Sequence, residues 1–124
     1  MADFDPVYAE LRRRLLEAAP DMVVASDGPA AITLNTPWPN PAKPKEPMWF
    51  GAVQAKKAYV AVHLMPVYTH TALEATISPD LAKRRQGKSC FNFKAVDEAL
   101  FDQMSAVMRA AAETYATPFD LPAR

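Results

Sequence analysis

Between Thr36 and Pro47, five of twelve residues are proline. Each proline fixes φ and removes a backbone donor, so this segment can neither continue a helix nor lie at the centre of a sheet. The constraint pushes any long helix toward the two ends of the chain. We read the segment as a stiff extended loop anchored by Trp38, too short for a domain linker.

Helical spacing is found at those ends. Asp5 reads as an N-cap with Pro6 at the first helical position. Phe4, Tyr8, Leu11, Leu15 and Ala18 then form an apolar stripe, which Pro20 stops. Near the other end, Asp97 or a neighbour caps a helix running to about Tyr115. Its stripe is Leu100, Phe101, Met104, Val107, Met108, Ala111 and Tyr115.

The stretches between read as strands and turns. Met22–Ser26 and Ala30–Asn35 flank Asp27-Gly28, which suits the positive φ of a tight hairpin. Met48–Gln54 and Ala58–Met65 form a second hairpin turned at Ala55-Lys56-Lys57. Alternation places Val60, Val62 and Leu64 on the core face and Tyr59, Ala61, His63 and Met65 on the other. Short helices are expected over Thr71–Ile77 and from Ser78-Pro79 to Gly87. A fifth strand, Lys88–Phe93, sets Phe91 and Phe93 against Cys90 and Asn92. Runs of strands bounded by helices predict an α+β fold. We expect a single domain over residues 1–124, an antiparallel sheet of about five strands with the N-terminal and C-terminal helices packed on it.

Half of the chain is apolar, enough for one core at this length. The lone Cys90 cannot close an intrachain disulfide, and no cysteine spacing suits a metal. Acids stand near the N-terminus where a signal peptide carries bases, and no apolar run reaches membrane length. These features predict a cytoplasmic protein with no membrane partner. The net charge is zero, but residues 28–96 carry nine bases and three acids, while both flanks are acidic. Zero net charge disfavours nucleic acid as a partner, and the basic middle predicts a polarised surface.

Four of those bases, Lys83, Arg84, Arg85 and Lys88, fall within six residues around Gly87. Paired guanidinium donors, a lysine charge and the Ser89 hydroxyl suit a carboxylate or phosphate. Tyr59 and Tyr68 are candidate apolar walls. The expected ligand-binding set is therefore Arg84, Arg85, Lys88, Ser89, Tyr59 and Tyr68, serving a small anionic ligand or an acidic protein partner. A solvated basic loop is the competing reading. Gly87-Lys88-Ser89 also resembles the end of a phosphate-binding loop. That loop needs a glycine where this chain has Ala82, and a helix where a strand is expected.

Cys90 with His63 or His70 is the candidate nucleophile. Its place in a strand favours a structural thiol, so no catalytic residue is expected. Asp3, Glu10 and Glu17 recur every seven residues and suggest a ridge for a hard cation. Arg14 and Arg13 stand four residues from Glu10 and Glu17 and offer salt bridges instead. No metal site and no cofactor are expected.

The run MWFGAVQAKKAYVAVHLMPVY, followed by QGKSCFNFKAVDEALFDQM, resembles the YdhG-like family of bacterial domains of unknown function. The resemblance covers about Met48 to Tyr115. Its most specific part is Gly87-Lys88-Ser89, then Phe91-Asn92-Phe93 and a helix beginning near Asp97. It implies an α+β sandwich similar in layout to frataxin, and one member has been proposed as an iron chaperone. Arg12-Arg13-Arg14 departs from the acidic surface that role needs, so no iron-binding residue is carried over. The leading expectation is a non-enzymatic binding or interaction domain. A frataxin-like iron-handling protein comes second, and an enzyme using Cys90 third.

Overall fold

A computed structural model of the chain describes residues 4–87, 89–117 and 121. The expected α+β architecture is present, with six strands among the described residues where about five were expected. Helix α1 (Asp5–Ala18) is followed by β1 (Val23–Asp27), β2 (Ala31–Asn40), β3 (Lys43–Ala55) and β4 (Val60–Leu64). Then come α2 (Met65–Thr69), a 3₁₀ turn (Thr71–Thr76), α3 (Pro79–Ala82), β5 (Arg85–Gln86), β6 (Cys90–Phe93) and α4 (Glu98–Thr114). The strands form one antiparallel sheet in the order β1-β2-β3-β4-β6-β5.

Both terminal stripes enter the core. Leu11, Leu15, Met104, Val107, Met108 and Tyr115 are fully buried with Ile32, Leu34, Phe50, Val62 and Phe91 of the sheet. Asp97 caps α4, its carboxylate accepting from the Leu100 N–H at 3.1 Å. At α1 the cap is Phe4 without a side-chain hydrogen bond, and Asp5 lies inside the first turn. There its charge favours the positive end of the helix.

Arg14, expected only to pair with Glu10, is nine-tenths buried between α1 and α4. Its guanidinium donates to Glu10 (2.8 Å), Glu98 (2.8 Å), Asp102 (2.9 Å) and the Ser105 hydroxyl (3.0 Å). It also lies 5.8 Å from the centre of the Phe101 ring. The Glu10–Arg14 and Arg13–Glu17 pairs expected from spacing are both formed.

The proline-rich segment is extended, as expected, but it is not a loop. Residues 36–47 continue β2 and β3 as a two-stranded arm, with Pro39 opposite Pro47 and Asn40 opposite Lys43. Beyond Asn35, β2 has left β1, and β3 meets β4 only from Gly51 onward. The arm pairs with itself alone, so donor-less prolines leave no interior ladder broken. Asn40 Oδ1 accepts from the Ala42 N–H at 2.9 Å and closes its tip. Trp38 packs partly buried against the core, matching its expected anchoring role.

Two glycines differ from expectation. Gly28 has no positive φ. Gly28 N–H instead donates to the Ala31 carbonyl at 2.8 Å, leaving Pro29-Ala30 to reverse the chain. Gly87 is the described positive-φ glycine, at 69°, and it turns the β5–β6 hairpin rather than ending a helix. At Gly51 β3 bulges, since Leu34 faces Gly51 while Asn35 faces Trp49. A Cβ on Gly51 would stand 2.5 Å from the His63 carbonyl oxygen, so only glycine allows that approach.

Candidate functional site

Among the described residues, the predicted anion-binding set does not converge on one site. Arg85 pairs with Phe91 in the sheet and turns its guanidinium to the 3₁₀ turn, where both Glu74 oxygens accept it at 2.5 and 2.7 Å. That pair holds the Glu74 carboxyl below its ordinary range. Tyr59 precedes β4 and Tyr68 follows it, so five strand residues, about 16 Å, separate them. Tyr68 lies toward the Gly87 end, because the Leu64 N–H donates to the Ser89 carbonyl at 3.0 Å. Tyr59 lies at the other. Lys88 is outside the described residues. Arg84 is exposed and lines two shallow hollows of about 320 and 370 Å³ beside the first turn of α4. Lys83, Asp80 and Asp97 line the first with it and balance its charge, whereas Lys94 and Asp97 line the second and leave it one net positive charge.

On the sheet face opposite the terminal helices, the register places His63 directly across from Cys90. Cys90 Sγ lies 3.4 Å from His63 Nε2 and 3.6 Å from Asn92 Oδ1, and Asn92 in turn donates to Gln86 at 2.5 Å. The Trp49 ring stands 6.0 Å from the imidazole. Burial pushes the Cys90 thiol up, against a smaller lowering from Lys56. Burial, and then Lys56, hold His63 below its ordinary value. Thiol and imidazole therefore face each other uncharged at neutral pH, joined by a hydrogen bond rather than as a thiolate–imidazolium pair. This is the opposite of the electropositive setting that activates a cysteine. Among the described residues, no group of three or more His, Cys, Asp or Glu could hold a metal ion.

One concavity that borders the partly buried Trp38 was not anticipated. The carboxyl ends of α1 and α4 meet beside the root of the proline arm and enclose a cleft of about 270 Å³. Ala18, Ala19 and Met22 line the α1 side, Ala112 and Tyr115 the α4 side, and Trp38 comes from the arm. Asp21, Glu113 and Arg109 supply its charged groups. Tyr115 is fixed by a 2.7 Å hydrogen bond to Thr69 and a ring contact with His70. Apolar walls with a few polar groups are the usual makeup of a small-molecule site. Arg109 and Ala18 also line an adjoining groove with Arg13, Arg14 and Asp102. The sequence carried a signal here, since both helices end without a base in the last turn. What it did not carry was the meeting of the two ends.

Comparison with protein-family models, with curated proteins and with solved structures gave no match. No described helix is long and apolar enough to cross a membrane.

Proposed function

We propose that this chain is a non-catalytic binding domain, taking a small ligand in the cleft between the carboxyl ends of α1 and α4. The observation that carries the reading is the cleft itself, with the Trp38 ring on one side, Ala19, Met22 and Ala112 beside it and charged groups near its mouth. The uncharged Cys90–His63 pair supports binding over catalysis. An iron-handling role draws little support from α1, where Arg13 holds both Glu10 and Glu17. The resemblance to YdhG-like domains brings no chemistry that competes.

The test is a fragment screen on a Trp49→Phe background, which leaves Trp38 as the sole tryptophan. A ligand at 100 times its Kd adds about 2.7 kcal/mol of stability. Saturable change of Trp38 fluorescence with a matching thermal shift is expected. Ligands that stabilise the protein while leaving Trp38 silent would refute the placement.

A second reading, an anionic partner at Arg84, is favoured by its exposed guanidinium between two hollows. Arg84→Ala with Lys88→Ala should then weaken binding of the anion. Unchanged affinity across a range of salt, with the fold intact, removes it.

A further inference from the structure

We infer that the cleft at the helix ends takes an organic cation, an ammonium group carried on a small apolar body. The inference rests on the cleft reading and adds the sign of the ligand. Helix carboxyl ends carry about half a negative charge each, and α1 and α4 both present theirs to this cleft. Neither helix places a basic residue in its last turn to answer that charge. Pro20 follows α1 with no N–H, so the Leu16 carbonyl has no donor from residue 20.

The side chains add in the same direction. Asp21 and Glu113 line the cleft against one base, Arg109. Arg109 also borders the neighbouring groove, where Glu17 and Asp102 already pair with Arg13 and Arg14, so its charge is counted against the two carboxylates of the cleft. With two helix ends included, the cleft carries about two negative charges. An anion entering it meets repulsion, and a neutral ligand leaves that field unanswered. Trp38, partly exposed at the cleft, provides aromatic surface, which attracts an ammonium as well as an apolar body.

The experiment uses three probes of one shape, benzylammonium, benzyl alcohol and benzoate, titrated against Trp38 fluorescence in the Trp49→Phe protein. Benzylammonium should bind at least tenfold more tightly than either of the others and weaken as salt is raised. Asp21→Asn with Glu113→Gln should reduce its affinity tenfold or more. Both positions are exposed, and circular dichroism checks that the fold is kept. Equal or tighter binding of benzyl alcohol or benzoate overturns the cation while leaving the cleft as a site. No saturable response to benzylammonium also overturns it, and the fragment screen then decides separately whether the cleft binds anything.

Discussion

Replacing Arg14 tests how the two terminal helices are held together. The side chain is nine-tenths buried, yet its partners differ in setting. Glu98 and Asp102 are about two-thirds or more exposed, so after Arg14→Ala they return to water, and each exposed pair contributes about 0.2–1 kcal/mol. Glu10 keeps Arg13. Ser105 is buried and loses the guanidinium donor, a hydrogen bond of about 1 kcal/mol. The buried aliphatic stem is removed as well, at about 0.8 kcal/mol per buried methylene, together with the guanidinium contact to the Phe101 ring. The total for Arg14→Ala is about 3 kcal/mol, dominated by packing and the Ser105 bond. Arg14→Met restores most of the stem and should recover about half of that loss. Both are read by urea unfolding followed by far-ultraviolet circular dichroism, where 3 kcal/mol moves the midpoint by about 2 M at a typical slope. Added salt screens the wild type's pairs to Glu98 and Asp102, so it should narrow the gap between wild type and the Met variant. A Met variant as unstable as the Ala variant would refute the packing share. An Ala variant within about 0.5 kcal/mol of wild type would refute the joint altogether.

Four further outcomes are expected. Leu11→Ala and Met104→Ala, both at fully buried positions, should each cost about 2–5 kcal/mol in the same assay. Gly51→Ala should destabilise by more than the roughly 1–3 kcal/mol usual for overpacking, because the added Cβ meets the β4 backbone rather than a yielding side chain; a small loss would show that the bulge can shift. The Cys90 thiol, pushed up by burial, should react slowly with a thiol reagent at pH 7 and faster as the pH rises, with Cys90→Ala only mildly destabilising; rapid labelling at pH 7 would count against the uncharged pair. His63 is held below 6.5, so the unfolded chain binds its proton first, and the stability it contributes is lost as pH falls below 6.5 through the folded value; His63→Gln should flatten that part of the pH–stability curve, and identical curves would refute it.

The features legible in the sequence are those decided locally. The α4 stripe from Leu100 to Tyr115 is buried residue for residue, and Asp97 caps it, because period and cap chemistry act within a few turns. Val60, Val62 and Leu64 face the core as alternation requires. Misread features depend on partners far along the chain. Met65 continued the alternation of β4, yet Pro66 sits in the first turn of α2 and ends the strand. Gln86 gains strand character only through Cys90. Spacing gave Arg14 its Glu10 partner, but not Glu98, Asp102 and Ser105, which α4 brings from 84 to 91 positions away. Arg85 looked like part of an anion site until Glu74 engaged it. His63 and Cys90 were both singled out, but their 3.4 Å contact follows from the β4–β6 register, which no local pattern encodes.

The proline arm bears on how copies of this chain behave at high concentration. A bare two-stranded ribbon ordinarily offers its outer backbone groups to another molecule and can seed intermolecular pairing. Pro37, Pro39, Pro41, Pro44 and Pro47 remove five donors from this one. A third strand approaching either side meets gaps in the ladder and ring atoms where N–H groups would stand. The arm therefore extends past the rest of the sheet without acting as a template for fibre growth. Replacing Pro39 and Pro47, which face each other, with threonine would restore two donors and give the arm a stickiness it now lacks.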